Sequence, residues 1–313
     1  MYIGVDIGGT GVQAGIVDNS GNILYKNEIK TDIDGGFIKI IDDIRILIDN
    51  LLSENNLNYS DIESIGFGVP SFINKDGLVT CVNLGWYEVE FIKTLENKFS
   101  ETKIFAQNDA TVAGIAESMF GSMKNKEIAV MYTLGTGVGG AIIINNKIFT
   151  GAHNMASEIG HTIIGENYFD CNCGNNGCVE TFCSATSVID YAKKLIDEGN
   201  KSILLNLANE NLNNIDAKMI FDAYRKNDFV AISTINRFKT YLAKALAGMI
   251  NTLDPNVICI GGGMSRSEDI ILDGLEDTIR NYILYKKEDF AQITIAKLGT
   301  DAGIIGAAFL SKY

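Results

Sequence analysis

The chain has little proline, histidine or tryptophan, and its positive charge is not clustered. Its 313 residues include two prolines, two histidines and one tryptophan. Lysine and arginine total 26 against 39 aspartates and glutamates, so the formal net charge is −13. Binding to a nucleic-acid backbone needs clustered cationic side chains. The composition therefore argues against nucleic acid as a partner.

Long apolar runs are missing as well. No segment reaches the roughly 18 consecutive apolar residues of a membrane-spanning helix. The first ten residues, MYIGVDIGGT, enter a strand pattern without the basic region of a secretory signal. We therefore expect no membrane partner and a cytoplasmic location, where thiols stay reduced and clustered cysteines favour metal binding over disulfides.

Short apolar segments alternate with amphipathic ones along the whole chain. The strand-like segments are YIGVDI, VQAGIVD, NILYKNEI, IESIGFGV, TKIFA, EIAVMYTL, AIIINN, NVICIGG and AQITIAK. Segments such as FIKIIDDIRILIDNLL and ATSVIDYAKKLIDEG carry their apolar residues at helical spacing. This mixture predicts an α/β protein.

A glycine-rich pattern occurs twice, about half a chain apart. VDIGGTG (5–11) and LGTGVGG (134–140) each follow a predicted strand and precede another. The repetition predicts two related domains facing each other across an active-site cleft. We place them at residues 1–118, with a returning C-terminal helix at 300–313, and at residues 119–299.

The glycine turns themselves allow two interpretations. Residues 135–140 formally match G-x-G-x-x-G, but a strand pattern follows where a dinucleotide site needs a helix. No G-x-x-x-x-G-K-[ST] segment occurs, which excludes a P-loop. The turns are therefore either ordinary hairpins or hairpins whose backbone N–H groups bind an anion. A third cluster, Gly261–Gly263, is either a strand-to-helix turn or a flat surface for a nucleotide.

Asn108 and Asp109 follow a predicted strand and begin a predicted helix. Both residue types commonly cap helices. A carboxylate at a helix N-terminus is also stabilised in its charged form and can act as a general base toward a hydroxyl. The two roles are compatible.

The segment CNCGNNGC holds three of the six cysteines, and a histidine precedes it. His161, Cys171, Cys173 and Cys178 form a complete Cys3His set, which predicts a closed, structural zinc site. The alternatives are free thiols or a disulfide. Cys81, Cys183 and Cys259 lie in apolar surroundings and read as core residues.

Two glutamates flank this cysteine cluster. A metal that fixes His161 and Cys178 would also fix Glu158 and Glu180 nearby, and the two carboxylates could accept hydrogen bonds from one polyhydroxylated ligand. The alternatives are a solvated surface acid for Glu158 and an ordinary first-turn acid for Glu180.

Taken together, these motifs resemble the ROK family of sugar kinases and repressors. DIGGT and LGTGVGG are similar to its two phosphate motifs, QND (107–109) to its catalytic segment, and ASEIGH with CNCGNNGCVE to its sugar and zinc signature. GGGMS and LGTDAGIIGAA resemble its adenosine and C-terminal motifs. The resemblance implies a two-domain actin-like ATPase (ribonuclease H-like) fold and an ATP-dependent hexose kinase, with glucose as the first substrate to test.

The resemblance also implies a role for each matching residue. Asp109 would be the base, and Asp6 would help to hold Mg²⁺ through water. The sugar would be bound by Asn83, Asn108, Asp109, Glu158, His161 and Glu180. The ATP phosphates would contact Gly8, Gly9, Thr10, Gly135, Thr136 and Gly137, and the adenosine would contact Gly261 and Gly262. The family further implies a structural Zn²⁺ and a homodimer.

Some positions depart from the family pattern, and other functions remain possible. Gly11, Ser71, Thr111 and Ser157 stand where members usually carry other residues, and Ser71 and Ser157 leave glucose less certain. Alternative sugars are N-acetylmannosamine, a β-glucoside, fructose or allose. A sugar-sensing regulator would carry a helix-turn-helix, which we do not expect because the first strand begins at Tyr2. A zinc-dependent redox or hydrolytic enzyme would need an open metal position.

Overall fold

The computed structural model describes all 313 residues, which form two compact units. The first unit comprises Met1–Lys126, Ala141–Ser157 and Lys297–Tyr313. The second comprises Glu127–Gly140 and Glu158–Ala296. The first unit thus includes residues 119–126, 141–157 and 297–299, which the domain limits predicted from sequence assign to the second. No helix is both long and apolar enough to cross a bilayer.

The first unit is built on a five-stranded sheet with the order β3-β2-β1-β4-β7. Its strands are β1 (Tyr2–Ile7), β2 (Gly11–Val17), β3 (Ile23–Lys30), β4 (Ser64–Val69) and β7 (Lys103–Asn108). The first three strands pair antiparallel, whereas β4 and β7 run parallel to β1. A small hairpin of β5 (Leu78–Cys81) and β6 (Trp86–Glu90) stands apart from this sheet.

Helices cover this sheet. They are α1 (Gly36–Glu54), α2 (Phe91–Lys98), α3 (Asp109–Phe120) and α11 (Ala302–Ala308). The apolar face of α1, including Ile40, Ile44 and Ile48, is buried in the core with β1 and β4 because its isoleucines and leucines recur at helical spacing. The C-terminal helix α11 packs on β1 and α3 of the same unit.

Glycines let α11 approach its neighbours closely. A Cβ atom on Gly4 would lie 1.8 Å from the Ile304 carbonyl oxygen, and one on Gly66 would lie 1.8 Å from that of Ala307. The reverse contact occurs at Gly306, where a Cβ would lie 1.8 Å from the Val112 carbonyl oxygen. No other residue fits these positions without moving the helix, so the glycines fix the C-terminal segment beside β1.

A buried carboxylate joins α3 to this C-terminal segment. Glu117 is fully buried, and its two carboxylate oxygens accept hydrogen bonds from the backbone N–H groups of Ser122 (2.7 Å) and Leu298 (2.7 Å). Buried polar groups are retained when their hydrogen bonds are satisfied. Glu117 thereby holds the residues just before Lys126 against those just after Lys297.

The second sheet has the order β10-β9-β8-β11-β12. Its strands are β8 (Ile128–Leu134), β9 (Val138–Ile144), β10 (Lys147–Ile148), β11 (Val257–Gly261) and β12 (Gln292–Ile295). As in the first sheet, a strand that ends in a glycine turn lies at the centre, and a later strand pairs with it in parallel. The sheet topology therefore supports the internal repetition seen in the sequence.

The second unit contains the remaining helices. They are α4 (Glu180–Cys183), α5 (Ala185–Asp197), α6 (Leu204–Leu207), α7 (Ala217–Arg225), α8 (Phe229–Leu253), α9 (Glu268–Ile271) and α10 (Leu275–Arg280). Helix α8 forms the centre of this group and packs against α4, α5, α7 and α10. One of these neighbours, α4, begins at Glu180, two residues after Cys178.

Candidate active site and metal centre

The first glycine turn, residues 8–10, closes the hairpin of β1 and β2. The Gly8 N–H donates to the Gly11 carbonyl oxygen at 2.9 Å. Thr31 fastens the turn from outside: its hydroxyl donates to the Gly8 carbonyl oxygen at 2.7 Å and its N–H to that of Thr10 at 3.3 Å. The turn borders a cavity of about 580 Å³ that Asp6, Gly8 and Thr10 help to line.

Asp6 lies at the end of β1, beneath this turn. Burial, reinforced by the negative charge of Asp109, raises the pKa of its carboxyl group to about 6. A Cβ atom on Gly303 would stand 2.3 Å from the Asp6 Oδ2 atom, so the absence of a side chain there makes room for the carboxylate. A carboxylate whose charge is disfavoured by burial is stabilised by a nearby cation. Because Asp6 also borders an open cavity, it is suited to bind a cation there.

Asn108 and Asp109 occupy the junction of β7 and α3. The Asn108 Oδ1 atom accepts hydrogen bonds from the N–H groups of Ala110 (3.0 Å) and Thr111 (3.2 Å), which makes Asn108 the N-cap. Asp109 is the first residue of α3, and its Oδ1 atom accepts the Ala110 N–H at 2.7 Å. The capping role predicted for Asn108 is confirmed, and the position of Asp109 is compatible with the role of a base.

Asn83 lies in the same unit, in the 3-10 turn Val82–Leu84 that follows β5, and its side chain is exposed. The neighbouring Cys81 is buried, and burial is the main reason that its pKa is raised; hydrogen bonds from the Leu84 and Asn83 backbone oppose the rise, and the charge of Asp109 adds to it. Asp109 is therefore within electrostatic range of both Asp6 and Cys81. Of these two, Asp6 is a candidate site residue, and Cys81 lies two residues before Asn83.

The second glycine turn, residues 135–137, lies between β8 and β9. The Gly135 N–H donates to the Gly137 carbonyl oxygen at 3.0 Å. The carbonyl oxygens of Gly135 and Thr136 accept hydrogen bonds from the Ala185 N–H (2.7 Å) and the Thr186 hydroxyl (2.8 Å). The start of α5 thus holds this turn as Thr31 holds the first.

Glu180 contacts the same turn. Its Oε2 atom accepts the Val138 N–H at 2.9 Å, and a Cβ atom on Gly137 would stand 2.5 Å from that oxygen. Its Oε1 atom lies 3.8 Å from the Cys171 sulfur. One carboxylate therefore joins the cysteine cluster to the second glycine turn, which no sequence pattern indicated.

Gly261 and Gly262 end β11 beside the same turn. Gly262 has φ +83°, and a Cβ on it would lie 2.5 Å from the Leu134 carbonyl oxygen. Both the backbone conformation and the lack of space require glycine here. The close approach to β8 explains this glycine structurally and leaves a side-chain-free surface beside the turn.

The four predicted metal ligands come together. The donor atoms of His161, Cys171, Cys173 and Cys178 all lie within 4.8 Å of one another, and none of the six cysteines forms a disulfide. The Cys171 sulfur is 3.5 Å from His161 Nδ1, and the Cys173 and Cys178 sulfurs are 3.6 Å apart. A tetrahedral zinc with bonds of about 2.3 Å to sulfur separates its ligands by roughly 3.7 Å. The donor set and its spacing therefore fit zinc.

Two glycines shape the backbone of this loop. Gly174 and Gly177 have φ +92° and +86°. A Cβ on Gly177 would lie 1.6 Å from the Gly165 carbonyl oxygen, and the Ile164 N–H donates to the Gly177 carbonyl at 2.9 Å. The loop is thus held by its own hydrogen bonds, which brings Cys173 and Cys178 together.

The three thiols differ in their electrostatic surroundings. A backbone hydrogen bond from Asn175 lowers the pKa of Cys173 to about 7, whereas burial raises the pKa of Cys178 to about 12 and also raises that of Cys171. A bound cation favours the thiolate form. A cation bound by the cluster would therefore favour the thiolate form of the cysteines that bind it.

Glu158 stands at the start of the short 3-10 helix Ile159–His161 and is exposed. Its carbonyl oxygen accepts the His161 N–H at 3.1 Å, which links the two residues locally. The preceding Ser157 has φ +73°, a conformation that favours glycine. A serine at this position is therefore held in a backbone conformation that is unfavourable for it.

The sequence interpretation missed several residues that hold the site. Thr31 and Thr186 lie outside every motif, because their roles are contacts with residues 23 and 50 positions away in the chain. Gly303 lies within LGTDAGIIGAA, but nothing in that segment indicated its contact with Asp6. Ser71 forms a hydrogen bond from its hydroxyl to the Thr80 carbonyl oxygen at 2.6 Å, so this departure from the family pattern has a structural role.

The two sheets with their glycine turns and parallel pairings define a protein of the actin-like ATPase fold, and the structure is similar to that of a ROK family glucokinase from Streptomyces griseus in complex with glucose and AMPPNP. That comparison has a TM-score of 0.83 and 30% identity, covering 99% of this chain and 98% of the other. The chain belongs to the ROK family, whose model matches residues 2–313.

Two similar sequences are both glucokinases. The chain is 36% identical to the glucokinase of Halalkalibacterium halodurans, over 99% of this chain and 94% of the relative. It is 32% identical to that of Thermotoga maritima, over 99% of this chain and 96% of the relative.

Proposed function

We propose that the chain is an ATP-dependent hexose kinase that transfers the γ-phosphoryl group to a sugar hydroxyl, with glucose as the substrate. The observation that carries the proposal is the arrangement around Asp109 in the first unit. Asp109 begins α3, its charge acts on Asp6, and Asp6 lines a cavity with the glycine turn. A base, a cation ligand and a phosphate-binding turn are the parts that phosphoryl transfer needs.

In this proposal Asp109 accepts the proton of the sugar hydroxyl. The hydroxyl oxygen forms a bond to the γ-phosphorus while the bond between that phosphorus and the bridging oxygen of ADP breaks. The Ala110 N–H and the positive end of α3 stabilise the negative charge of the waiting carboxylate. Mg²⁺, held through water near Asp6, would supply charge neutralisation to the phosphates.

The remaining residues are proposed to bind and orient the reactants. Asn83, Asn108, Glu158, His161 and Glu180 contact the sugar hydroxyls. Gly8, Gly9, Thr10, Gly135, Thr136 and Gly137 present backbone groups to the ATP phosphates, and Gly261 with Gly262 offers a flat surface to the adenosine. Zinc at His161, Cys171, Cys173 and Cys178 would have a structural role, since four protein ligands leave no open position.

Glucose is tested against its alternatives by measuring ADP release with Mg²⁺, ATP and a panel of hexoses and N-acetylhexosamines. We expect the highest kcat/KM with glucose. A higher value with N-acetylmannosamine, fructose, allose or a β-glucoside would change the substrate but keep the reaction. Binding of a sugar without any ADP release would contradict the kinase proposal and favour a sugar-sensing regulator.

The base is tested with Asp109→Asn. We expect kcat to fall about 10²- to 10⁴-fold, as for loss of a general base, because the amide cannot accept the proton. The asparagine oxygen can still accept the Ala110 N–H, so the fold and the metal content should persist.

Asp216→Asn is the matched control for this variant. Asp216 also caps a helix, accepting the Met219 N–H at 2.7 Å, and is exposed in the second unit. This variant should keep the wild-type kcat. Retention of activity by Asp109→Asn, or equal losses in both variants, would contradict the assignment of Asp109.

We further propose that the protein assembles as a homodimer, in keeping with the resemblance, and that it does not bind nucleic acid. Exposed apolar side chains such as Tyr168, Leu284 and Tyr285 in the second unit provide contact area for a partner copy. Light scattering coupled to size-exclusion chromatography measures the assembly directly. A mass near that of one chain would contradict the dimer.

A further inference from the structure

The hydrogen bonds that join the second glycine turn to the helices of its unit all come from one short segment of the chain. The Gly135 carbonyl oxygen accepts the Ala185 N–H, the Thr136 carbonyl oxygen accepts the Thr186 hydroxyl, and the Val138 N–H donates to Glu180. These donors and acceptors lie within residues 180–186, just after the metal ligand Cys178. Nothing in the sequence motifs assigns a role to Thr186.

This segment is itself rigid. Ser184 caps α5, with its side chain accepting the Ser187 N–H at 3.1 Å, and its own N–H donates to the Glu180 carbonyl oxygen at 3.1 Å. Phe182 and Cys183 are buried, at 1% and 0% exposure. Since buried, hydrogen-bonded segments move little, residues 180–186 form a firm support for the turn.

The direction of these bonds determines where the turn presents its own donors. In a trans peptide the carbonyl and the following N–H point to opposite sides. The carbonyls of Gly135 and Thr136 point toward Ala185 and Thr186, so the N–H groups of Thr136 and Gly137 point away from that segment. Two successive N–H groups with a common direction form an anion-binding concavity.

We propose that Thr186 is a positioning residue for ATP: its hydroxyl fixes the Thr136 peptide so that the Gly137 N–H is aimed at a phosphate oxygen. The inference rests on the proposed kinase function for the identity of the anion. Glu180 acts in the same assembly at the Val138 N–H, so the segment that follows the cysteine cluster supports the nucleotide turn. Thr186 acts through the turn, and its effect should therefore appear in nucleotide binding.

The test is Thr186→Val, which keeps the side-chain shape and removes the hydroxyl donor. We expect the KM for ATP to rise about 2- to 10-fold, the effect of losing one hydrogen bond. The KM for the sugar should stay unchanged and kcat should change little. Thr186→Ser keeps a hydroxyl and should restore the wild-type KM for ATP.

Thr278→Val is the matched control, because Thr278 also lies on a helix of the second unit and its hydroxyl donates to a backbone carbonyl oxygen, that of Gly274. It should leave both KM values unchanged. An unchanged KM for ATP in Thr186→Val, a rise that Thr186→Ser does not reverse, or an equal rise for the sugar would overturn the proposal.

Calorimetric titration of the apo protein with MgATP separates this inference from the kinase proposal. If the wild type releases no ADP with any sugar, the kinase proposal fails, but weaker MgATP binding by Thr186→Val than by Thr278→Val would still support the positioning role. If the wild type is an active kinase and the three proteins bind MgATP equally, only the Thr186 inference fails. Thermal unfolding curves establish that each variant is folded.

Discussion

The two glycine turns are held by similar hydrogen bonds but differ in the acidic residue that lies next to each turn. In each, a threonine hydroxyl outside the turn donates to a turn carbonyl: Thr31 to Gly8, and Thr186 to Thr136. The first turn has the partly buried Asp6 beneath it and open space at Gly9. The second has no such aspartate, and Glu180 from another segment fills the space beside Gly137.

This difference shows which features are common to the two repeated turns and which occur in one unit alone. Both turns share a threonine hydroxyl that donates to a backbone carbonyl. Such a bond fixes the direction of the backbone N–H groups, which an anion-binding turn requires. The acid beneath the first turn suits a cation, whereas the acid beside the second connects the turn to the cysteine cluster. Changes that affect only one of these features should therefore have effects confined to one turn.

The largest effect should come from removing a ligand of the proposed zinc site, to which Glu180 connects the second turn. In Cys173→Ser we expect the metal content, measured by elemental analysis, to fall from about one to near zero per chain. Structural zinc sites contribute on the order of 10 kcal/mol of apparent binding energy, so the unfolding midpoint should also fall markedly.

Asn172→Ser is the control for the metal experiment, since Asn172 is exposed in the same loop and is not one of the four clustered residues. It should keep both the metal and the midpoint. Cys173→Ser protein that retains a full complement of metal would contradict the assignment of Cys173 as a ligand.

The next effect concerns Asp6 and depends on pH. Folding raises the pKa of Asp6 from its ordinary value of 3.8 to about 6, mainly through burial. Between these two pH values the folded chain therefore binds more protons than the unfolded chain. Stability should therefore fall as the pH rises from about 4 to about 6, by up to about 3 kcal/mol. Asp6→Asn should abolish this part of the pH dependence. At pH 7.5 this variant should unfold at a higher urea concentration than the wild type.

Urea denaturation without Mg²⁺ or nucleotide, at pH 5 and pH 7.5, measures the Asp6 effect. The gap between the two proteins should be wider at pH 7.5 than at pH 5. Parallel pH dependences for the wild type and Asp6→Asn would show that Asp6 is not the responsible group.

The smallest effect should come from adding one methyl group to a glycine of either turn. In Gly137→Ala the new Cβ would meet Glu180 Oε2 at 2.5 Å, which displaces the carboxylate from the Val138 N–H. We expect a loss of about 1–3 kcal/mol in the free energy of unfolding, typical of overpacking. In Gly9→Ala no atom lies within 4 Å of the new Cβ, and the change should stay within about 0.5 kcal/mol.

These two glycine variants serve as each other's controls in chemical denaturation of the apo protein. Equal destabilisation would mean that Glu180 does not restrict the second turn. Double substitution with Glu180→Ala should remove most of the penalty of Gly137→Ala if the contact is its cause.

Much of the fold and part of the site could be predicted from local sequence. The segments around Tyr2–Ile7 and Val257–Gly261 are confirmed as strands because continuous apolar runs signal buried strands. The Cys3His cluster follows from ligand spacing in a single loop. Asn108 was predicted as a cap because capping depends on residues only two or three positions away.

What could not be predicted depends on contacts between distant positions. Glu180 lies 42 residues from Val138, and Leu298 lies 181 residues from Glu117. A single hydrogen bond of this kind leaves no periodicity or spacing in the sequence. The hairpin of β5 and β6 was missed for a different reason: its strands are only 4 and 5 residues long, too short for a clear apolar pattern.

The cap at Asn108 also determines the chemical polarity of its side chain. Its Oδ1 atom already accepts two backbone N–H groups, from Ala110 and Thr111, so the amide cannot flip without breaking both. The NH2 end is therefore the one left to meet a reactant, and a molecule that touches Asn108 encounters a donor. A ligand that presents only hydrogen-bond donors to Asn108 would therefore bind poorly, whichever sugar the enzyme prefers.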